Sequence, residues 1–141
     1  MNIERAELFD VQLLAEINGL LSQLSTSAAP LSVDDFRTIL ASEITHLLLA
    51  MDKGRLCGML TVVVFRIPTG VRAWIEDVVV DEAQRGKGIA GALLDAAIRQ
   101  ARALGANTLD LTSRPAREAA NRLYLKAGFE QRATNVYRML L

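Results

Sequence analysis

The sequence predicts a mixed α/β fold, with a central mixed β-sheet of about six to seven strands flanked by about four helices. Two observations carry this prediction. Three apolar stretches with strand composition follow one another between residues 46 and 80. A glycine-bearing turn then leads into a long segment with helical periodicity at residues 88–104, and a short apolar alternation follows it. Strand, helix and strand at this spacing indicate a right-handed crossover between parallel strands.

Composition indicates one folded domain. A length of 141 residues suits a single compact domain with a proper core, and a hydrophobic fraction of 51% excludes a disordered chain. Sixteen basic and sixteen acidic residues cancel to a formal net charge of +0. An extended nucleic-acid surface would need a basic excess. We therefore expect a single domain over residues 1–141 with no nucleic-acid partner.

Cysteine and histidine are too few for a disulfide framework or a structural zinc site. The chain has one cysteine, Cys57, and one histidine. Leu56 and Met59 flank the cysteine, so we expect a buried thiol in a strand rather than a reactive one. No metal is expected.

No targeting or membrane segment is visible in the sequence. The first residues lack a basic region followed by an apolar run, which a signal peptide would show. The longest apolar stretches, residues 47–51 and 59–65, are far shorter than the ~18 residues that a membrane span requires. We therefore expect a soluble protein in a reducing, cytoplasmic setting, away from membranes.

The first part of the chain predicts a strand and two helices. A weak alternation favours a strand at residues 3–8. Asp10 is placed to cap a helix that runs to residue 24, and Ser32, three residues before Asp35, begins a second helix to about residue 42. These helices either cover one side of the sheet or line an acceptor pocket.

A hairpin and a third strand come next. Residues 46–51 and 55–66 have strand composition, and the turn sequence Asp52-Lys53-Gly54 joins them. After a second turn at residues 68–70, the strand at residues 71–80 ends at the glycine-bearing stretch.

The rest of the chain alternates helices and strands. Apolar residues form one stripe along the helix at residues 88–104, and Gly105 is placed to end it. The remaining predicted elements are, in order, a strand at residues 109–112, a helix at 115–127 that stops at Gly128, and a last pair of strands at 129–132 and 136–141.

The glycine-bearing turn is the most informative stretch of the chain. It reads Arg85-Gly86-Lys87-Gly88-Ile89-Ala90 and separates a strand from a helix. Glycines let a ligand approach the main chain, and the first N–H groups of a helix have no internal partner. The helix dipole is positive at that end, so a phosphate group is the natural ligand.

Two signatures in the chain resemble those of the GNAT superfamily of acyl-CoA-dependent N-acetyltransferases. Arg85, Gly88 and Ala90 fall on the fixed positions of its pyrophosphate signature, Arg/Gln-x-x-Gly-x-Gly/Ala. A Leu-Tyr pair at residues 123–124 and a Gly-Phe pair at residues 128–129 match its second signature. Rossmann and P-loop sites also use a glycine turn, but the chain has no Gly-x-x-x-x-Gly-Lys-Ser/Thr motif.

The resemblance implies that the sheet splays apart after the strand ending at Val80 and that acetyl-CoA lies in the opening. Lys87 either reaches a phosphate or is a solvated charge. The implied contacts are main-chain ones: the pyrophosphate with Arg85, Gly86, Lys87, Gly88, Ile89 and Ala90, and the pantetheine arm with Val78, Val79 and Val80.

Acetyl transfer to an amine needs a base, because an ammonium with a pKa of ~10 is not a nucleophile at neutral pH. Glu76 lies in the strand just before the splay and is the candidate base, directly or through water. Asp77 would face the other side unless a bulge intervenes, and it is the reserve candidate. Alternatively, either carboxylate pairs with an arginine or shapes the acceptor pocket.

Tyr124 matches the family tyrosine whose hydroxyl acts as general acid near the thioester sulfur, although a structural tyrosine is the alternative. The chain departs from many relatives in carrying Arg117 where they have a cofactor-binding asparagine. Asn121, one helical turn before Tyr124, either takes over that contact or is a surface polar residue. Arg117 would instead bind a CoA phosphate.

The resemblance therefore predicts an enzyme that transfers an acetyl group from acetyl-CoA to a primary amine by direct attack in a ternary complex. A non-catalytic acyl-CoA-binding sensor is the alternative, and a Rossmann-like nucleotide binder is a third. The acceptor, a small molecule or a peptide amine, is not identified by the sequence. Exposed sheet edges make a homodimer plausible.

Overall fold

Five strands and four helices make up the computed structural model, which describes all 141 residues. The chain divides into two units, Met1–Leu111 and Thr112–Leu141, which are described in turn. The first unit contains β1 (Asn2–Arg5), α1 (Val11–Leu24), α2 (Val33–Ala41), β2 (Thr45–Asp52), β3 (Arg55–Ile67), β4 (Gly70–Val80), a 3₁₀ turn (Glu82–Gln84), α3 (Ile89–Ala103) and β5 (Thr108–Asp110). The second unit contains α4 (Glu118–Lys126).

The sheet is mixed, as the sequence predicted. Its strands lie in the order β1-β2-β3-β4-β5. The first four pair antiparallel, and β5 pairs parallel to β4 after the crossover through α3. The mixed α/β fold class is confirmed, with five strands where the sequence predicted about six to seven.

The hairpin between β2 and β3 turns through two residues. Lys53 has a φ of 50° and Gly54 a φ of 76°, while Asp52 pairs with Arg55. Positive φ at both central residues is the type I′ turn, whose twist matches that of the flanking strands. The Lys-Gly pair is therefore suited to hold this register.

Both faces of the sheet are covered. Leu47 and Leu49 of β2 join a core cluster with α1 and α2, whose members include Ile17 and Phe36. The alternate residue, Leu48, is also buried and faces the other side. Gly58 of β3 lies against Ile89 and Leu93, so α3 covers that second face.

The predicted helix caps are confirmed. Asp10 accepts hydrogen bonds from the backbone N–H groups of Gln12 (2.7 Å) and Leu13 (3.0 Å), and Ser32 accepts one from Asp35 (3.1 Å). Gly105 follows α3 with a φ of +81°, the left-handed conformation that ends helices. The single thiol, Cys57, is buried as expected. No helix in the structure combines the length and the apolar character needed to cross a bilayer.

His46 is a buried polar side chain without partners. Only 2% of its surface is exposed, and neither ring nitrogen has a hydrogen-bond partner. Burial, and then the positive charge of Arg5, lower the pKa of the His46 imidazole, and the nearby backbone of Glu43 partly opposes this. Protons therefore bind the unfolded chain more readily than the folded one once the pH falls below the ordinary histidine pKa of ~6.5.

We expect the free energy of unfolding to be insensitive to His46 above pH ~6.5 and to fall below it, by up to ~1.4 kcal/mol per pH unit for one proton. The change His46→Leu, which is close in volume, should remove this part of the acid sensitivity. Urea unfolding between pH 5 and 8 measures it. An equal slope of stability against pH in both proteins would show that His46 is not the acid-sensitive group.

The second unit differs from its prediction. The helix predicted at residues 115–127 is α4, Glu118–Lys126, and Gly128 follows it with a φ of +105°. The strands predicted at residues 129–132 and 136–141 are wrong, because residues 130–141 form no strand and are exposed. The apolar composition of residues 136–141 suits a strand, but a strand also needs a hydrogen-bonded neighbour, which composition does not reveal.

Candidate active site

The end of β4 has an unpaired backbone edge. Pairing between β4 and β5 covers only three positions and stops at Trp74 opposite Asp110. β4 continues to Val80, so the edge of residues 75–80 on this side has no strand partner. This free edge is the splay that the resemblance implied, although it begins within β4 rather than after its end. An extended ligand can pair with such an edge as an added strand.

The three valines predicted to contact pantetheine lie on this free edge. Val79 is buried in the core cluster with α1, while Val78 and Val80 are half-buried. Their side chains thus anchor the strand. Because the Asp81 N–H bonds the Cys57 carbonyl of β3, alternation turns the main-chain groups of Val79 toward β3 as well. The main-chain groups of this segment that point away from β3 are the ones available to a ligand.

A β-bulge interrupts β4 at the candidate base. Thr61 of β3 pairs with Glu76 and Met59 pairs with Val79, so Asp77 and Val78 together lie opposite one residue of β3. Asp77 has a φ of 51°, a left-handed conformation that aspartate tolerates better than most residues. Asp77 was the reserve candidate for the base on the condition that a bulge intervenes in this strand, and the structure contains that bulge.

The two carboxylates differ in their surroundings. The Glu76 Oε1 atom accepts a hydrogen bond of 2.7 Å from the indole Nε1 of Trp74. Glu76 and Asp77 are both exposed residues. Partial desolvation of its carboxyl, followed by the negative charge of Glu76, raises the pKa of Asp77. The indole therefore fixes the orientation of Glu76, while Asp77 holds its proton more strongly than an isolated aspartate.

The connection between β4 and α3 is tied to α1. Asp81 caps the 3₁₀ turn by accepting from the N–H of Ala83 (3.2 Å). The side chain of Gln23 in α1 accepts a hydrogen bond from the Glu82 N–H (3.0 Å) and donates one to Asp81 (3.4 Å). Sequence reasoning did not identify Gln23, because its contact joins residues almost sixty positions apart.

The glycine turn opens α3 without a side-chain cap. Gly88 is the N-cap residue, with a φ of 78°, and Gly86 has a φ of 79°. Because Gly88 has no side chain to accept from them, the first N–H groups of α3 remain available to a ligand. A Cβ atom built on either glycine would have no heavy atom within 4 Å, so the space over the turn is open.

The charged residues of the turn are exposed, and one of them is held locally. Arg85 is exposed, and the Lys87 Nζ atom donates a hydrogen bond of 2.8 Å to the side chain of Gln84. Ile89 is 4% exposed and anchors the first turn of α3 against the sheet, and Ala90 is half-buried. The turn thus combines accessible amides, positive charge and open space, which suits a diphosphate.

Gly58 is a residue that sequence reasoning missed. A Cβ atom at this position would lie 3.1 Å from the Val79 carbonyl oxygen, 3.2 Å from Ile89 and 3.3 Å from Leu93. The absence of a side chain therefore lets the start of α3 approach β3 and β4 closely. An isolated glycine in a strand pattern is the signal that would have indicated it.

The second unit holds the candidate general acid. Tyr124 is 8% exposed, and its ring lies 6.1 Å from that of Phe129 in an edge-to-face arrangement. Burial raises the pKa of the Tyr124 phenol, and the positive charge of Arg117 partly opposes this. The phenol is therefore protonated at neutral pH and beyond.

Asn121 and Arg117 lie near the start of α4. The Asn121 amide donates a hydrogen bond of 3.0 Å to the backbone carbonyl of Arg114, which holds the loop before the helix. Arg117 is the N-cap residue of α4 and is exposed. The structure thus gives Asn121 a local structural contact, while its side-chain oxygen accepts no hydrogen bond within the chain.

Comparison with known proteins gives the family. The model of the acetyltransferase (GNAT) family matches residues 15–129. No curated protein matches the chain. Among solved structures, a putative acetyltransferase from Agrobacterium tumefaciens superposes with a TM-score of 0.87 at 22% identity, covering 99% of this chain and 100% of that one.

Two further structures show the same fold. One is described as a transcriptional regulator from Bacillus halodurans, with a TM-score of 0.84 and 26% identity over 99% of both chains. The other is an aminoglycoside N-acetyltransferase in complex with CoA, with a TM-score of 0.83 and 18% identity over 99% of this chain and 93% of that one. The family match spans both the glycine turn and α4, and the chain therefore belongs to the GNAT acetyltransferase family.

Proposed function

We propose that the chain is a single N-acetyltransferase domain, residues 1–141, that moves the acetyl group of acetyl-CoA to a primary amine by direct attack in a ternary complex. One observation carries the proposal: a free strand edge at residues 75–80 leads, through the short 3₁₀ turn, into an uncapped glycine turn with open space above it. The edge suits the amide-bearing pantetheine arm, and the turn suits the diphosphate.

In this proposal the backbone of Val78, Val79 and Val80 pairs with pantetheine, and the amides of residues 85–90 hold the diphosphate. Lys87 would leave Gln84 to reach a phosphate, and Arg85 adds charge beside it. The Asn121 side-chain oxygen is free to contact the cofactor. Acetyl-CoA supplies an activated acetyl group as its thioester.

The chain's own residues would handle two protons. Glu76, oriented by the Trp74 indole, accepts the proton that the amine loses as its nitrogen bonds to the acetyl carbon. Tyr124 donates its phenolic proton to the sulfur as the carbon–sulfur bond breaks. A backbone N–H near Val78 polarises the carbonyl oxygen.

Ligand-dependent melting and thiol release test the proposed function. CoA and acetyl-CoA should raise the melting temperature, because a ligand that binds the folded state stabilises it by mass action, whereas NAD and ATP should not. Free thiol should then form from acetyl-CoA only with an acceptor amine. The screen should include aminoglycosides, polyamines, amino acids and peptides, since structurally similar proteins include aminoglycoside acetyltransferases. Stabilisation by NAD or ATP instead of CoA would contradict the proposal.

The alternative is a non-catalytic acyl-CoA-binding sensor, and the likeness to a protein described as a transcriptional regulator favours it. A sensor would be stabilised by acetyl-CoA and would release no thiol with any acceptor. The presence of both Tyr124 and Glu76 favours the enzyme.

The change Glu76→Gln tests the proposed base. We expect kcat/KM to fall about tenfold at neutral pH, less than for many general bases, because Glu76 is exposed and water can take its place. The loss should shrink at high pH, where more of the amine is already deprotonated. Thiol release measured from pH 6 to 10 gives both results.

Asp77→Asn is the matched variant. Like Glu76→Gln, it replaces a carboxylate by the amide of the same length, and it does so at the adjacent residue. If Asp77→Asn reduces kcat/KM more than Glu76→Gln does, and if its loss is the one that becomes smaller at high pH, the base is Asp77 and the assignment to Glu76 is wrong.

A further inference from the structure

The helices of the first unit cover only part of one face of its sheet. On the face that packs against α1 and α2, Met59 and Val79 belong to the core cluster. Further along β3 and β4, residues of this face are half-buried or exposed, while the alternate residues, which point to the α3 side, are buried. The uncovered side chains, here named the open face, are Thr61, Val63, Phe65, Trp74 and Glu76 of these strands and Asp110 of β5.

The bulge at Asp77 places the candidate base on the open face. Thr61 pairs with Glu76, and Met59 pairs with Val79. Paired residues point to the same side of a sheet, and so do residues two positions apart in one strand. Without the extra residue of the bulge, Glu76 and Val79 would point to opposite sides, because three positions separate them. The open face therefore includes the side chain proposed to take the amine proton.

Aromatic surface and carboxylates lie side by side on the open face. Val63 pairs with Trp74, and Trp74 pairs with Asp110, so the half-buried indole has an aliphatic neighbour on one side and a carboxylate on the other. The indole Nε1 atom donates to Glu76, which leaves the face of the ring free for another contact. Within the first unit, no ion pair includes Asp110.

The charge of the open face is negative. Arg72 is the one basic residue at the neighbouring positions of this face, and it donates a hydrogen bond of 3.2 Å to Thr69 in the turn before β4. Residues two positions apart in a strand are ~7 Å apart and neighbouring strands ~4.8 Å apart, so the Cα atoms of Glu76 and Asp110 are separated by roughly 8 Å. A carboxylate beside an indole attracts an ammonium group through charge and through the ring.

We propose that the open face selects acceptors that carry two cationic groups. The primary amine that is acetylated lies at Glu76, and a second ammonium group lies between the Trp74 ring and the Asp110 carboxylate. Val63 and Phe65 contact the carbon chain between the two groups. Asp110 and Trp74 thus determine specificity and take no part in the transfer. This inference rests on the proposed function, because it names the class of acceptor for the same site.

Three acceptors with the same six-carbon chain test the selection. Hexylamine, 1,6-diaminohexane and 6-aminohexanoate differ only at the far end, which is uncharged, cationic or anionic. Trp74 is the only tryptophan of the chain, so its fluorescence follows binding at the open face. The diamine should bind about tenfold more tightly than hexylamine, since hydrogen bonds to charged groups and cation–π contacts favour it, and 6-aminohexanoate should bind most weakly. Equal affinities for the three acceptors would overturn the proposal.

The change Asp110→Asn identifies the second cation site. It keeps the shape of the side chain and removes its charge, so the preference for 1,6-diaminohexane over hexylamine should fall to about twofold or less. Asp95→Asn is the matched control, because it removes a carboxylate from the exposed side of α3 and should keep the tenfold preference. The preference is a ratio measured within each protein, so a general loss of stability does not imitate this result. An unchanged preference in Asp110→Asn would refute the role of Asp110.

Thiol release from acetyl-CoA with the same three acceptors separates this inference from the proposed function. If the diamine binds with the expected preference and no thiol is released, the cation site stands and acetyl transfer is contradicted. If thiol is released with equal kcat/KM for hexylamine and 1,6-diaminohexane, the transferase stands and the selection of dicationic acceptors is wrong.

Discussion

Replacing Tyr124 with phenylalanine should lower kcat by about 10²–10³-fold, the range that a positioned general acid contributes, while CoA binds as in the parent protein. The change removes one hydroxyl and leaves the ring, whose edge-to-face contact with Phe129 at 6.1 Å is retained. Folding should therefore be unaffected. Single-turnover rates and CoA titrations measure the two quantities separately.

The pKa of Tyr124 makes the pH dependence informative. A general acid acts in its protonated form, and burial raises the pKa of this phenol while Arg117 partly opposes the rise. The phenol therefore stays protonated beyond the ordinary tyrosine pKa of ~10, and it should cause no fall in kcat on the alkaline side below about that pH. An alkaline fall near pH 8 that disappears in Tyr124→Phe would contradict this.

Tyr137 provides the matched control. It is the only other tyrosine, is 88% exposed and accepts only a hydrogen bond of 3.3 Å from Asn135. Tyr137→Phe removes the same hydroxyl and should leave kcat unchanged. Equal rates for Tyr124→Phe and the parent protein would show that Tyr124 is a structural tyrosine.

Replacing Gly88 with valine should weaken CoA binding by about 100-fold. Gly88 has a φ of 78°, and a β-branched residue in that conformation is strained, so the turn would move and carry its amides with it. The new side chain would also stand in the open space above the turn. Loss of two hydrogen bonds to a charged ligand, at ~1.5 kcal/mol each, corresponds to this change in affinity.

Gly105→Val is the control for backbone strain. Gly105 lies at the other end of α3 with a φ of +81° and, like Gly88, has no heavy atom within 4 Å of an added Cβ. Urea unfolding should show a similar loss in the free energy of unfolding for both variants. Calorimetric titration should show a loss of affinity for CoA only in Gly88→Val. Equal affinities in the two variants would place the diphosphate elsewhere.

Local signals predicted most of the first unit. Asp10 and Ser32 are caps whose bonds reach only two or three residues along the chain, so the helix starts followed from the sequence. The glycine turn could also be predicted from the sequence, because positive φ at Gly86 and Gly88 is a local property of the backbone. The tertiary structure added Gly58 and Gln23, whose roles depend on contacts with distant residues.

The two strands predicted after residue 128 show the limit of local signals. The composition of residues 136–141 favours a strand, but a strand exists only beside another one. The bulge at Asp77 is a similar case, since it depends on the register between β3 and β4.

The sequence by itself determined the order of strands and helices as far as α4, the family signatures and the uncapped turn that begins α3, because each depends on neighbours within a few residues. Only the tertiary structure decided where the pairing of β5 with β4 ends and how Trp74 orients Glu76 beside the bulge. It also decided that residues 136–141 form no strand. The physical reason is that sheet pairing and burial join residues far apart in the chain, and their free energy does not appear in any local pattern.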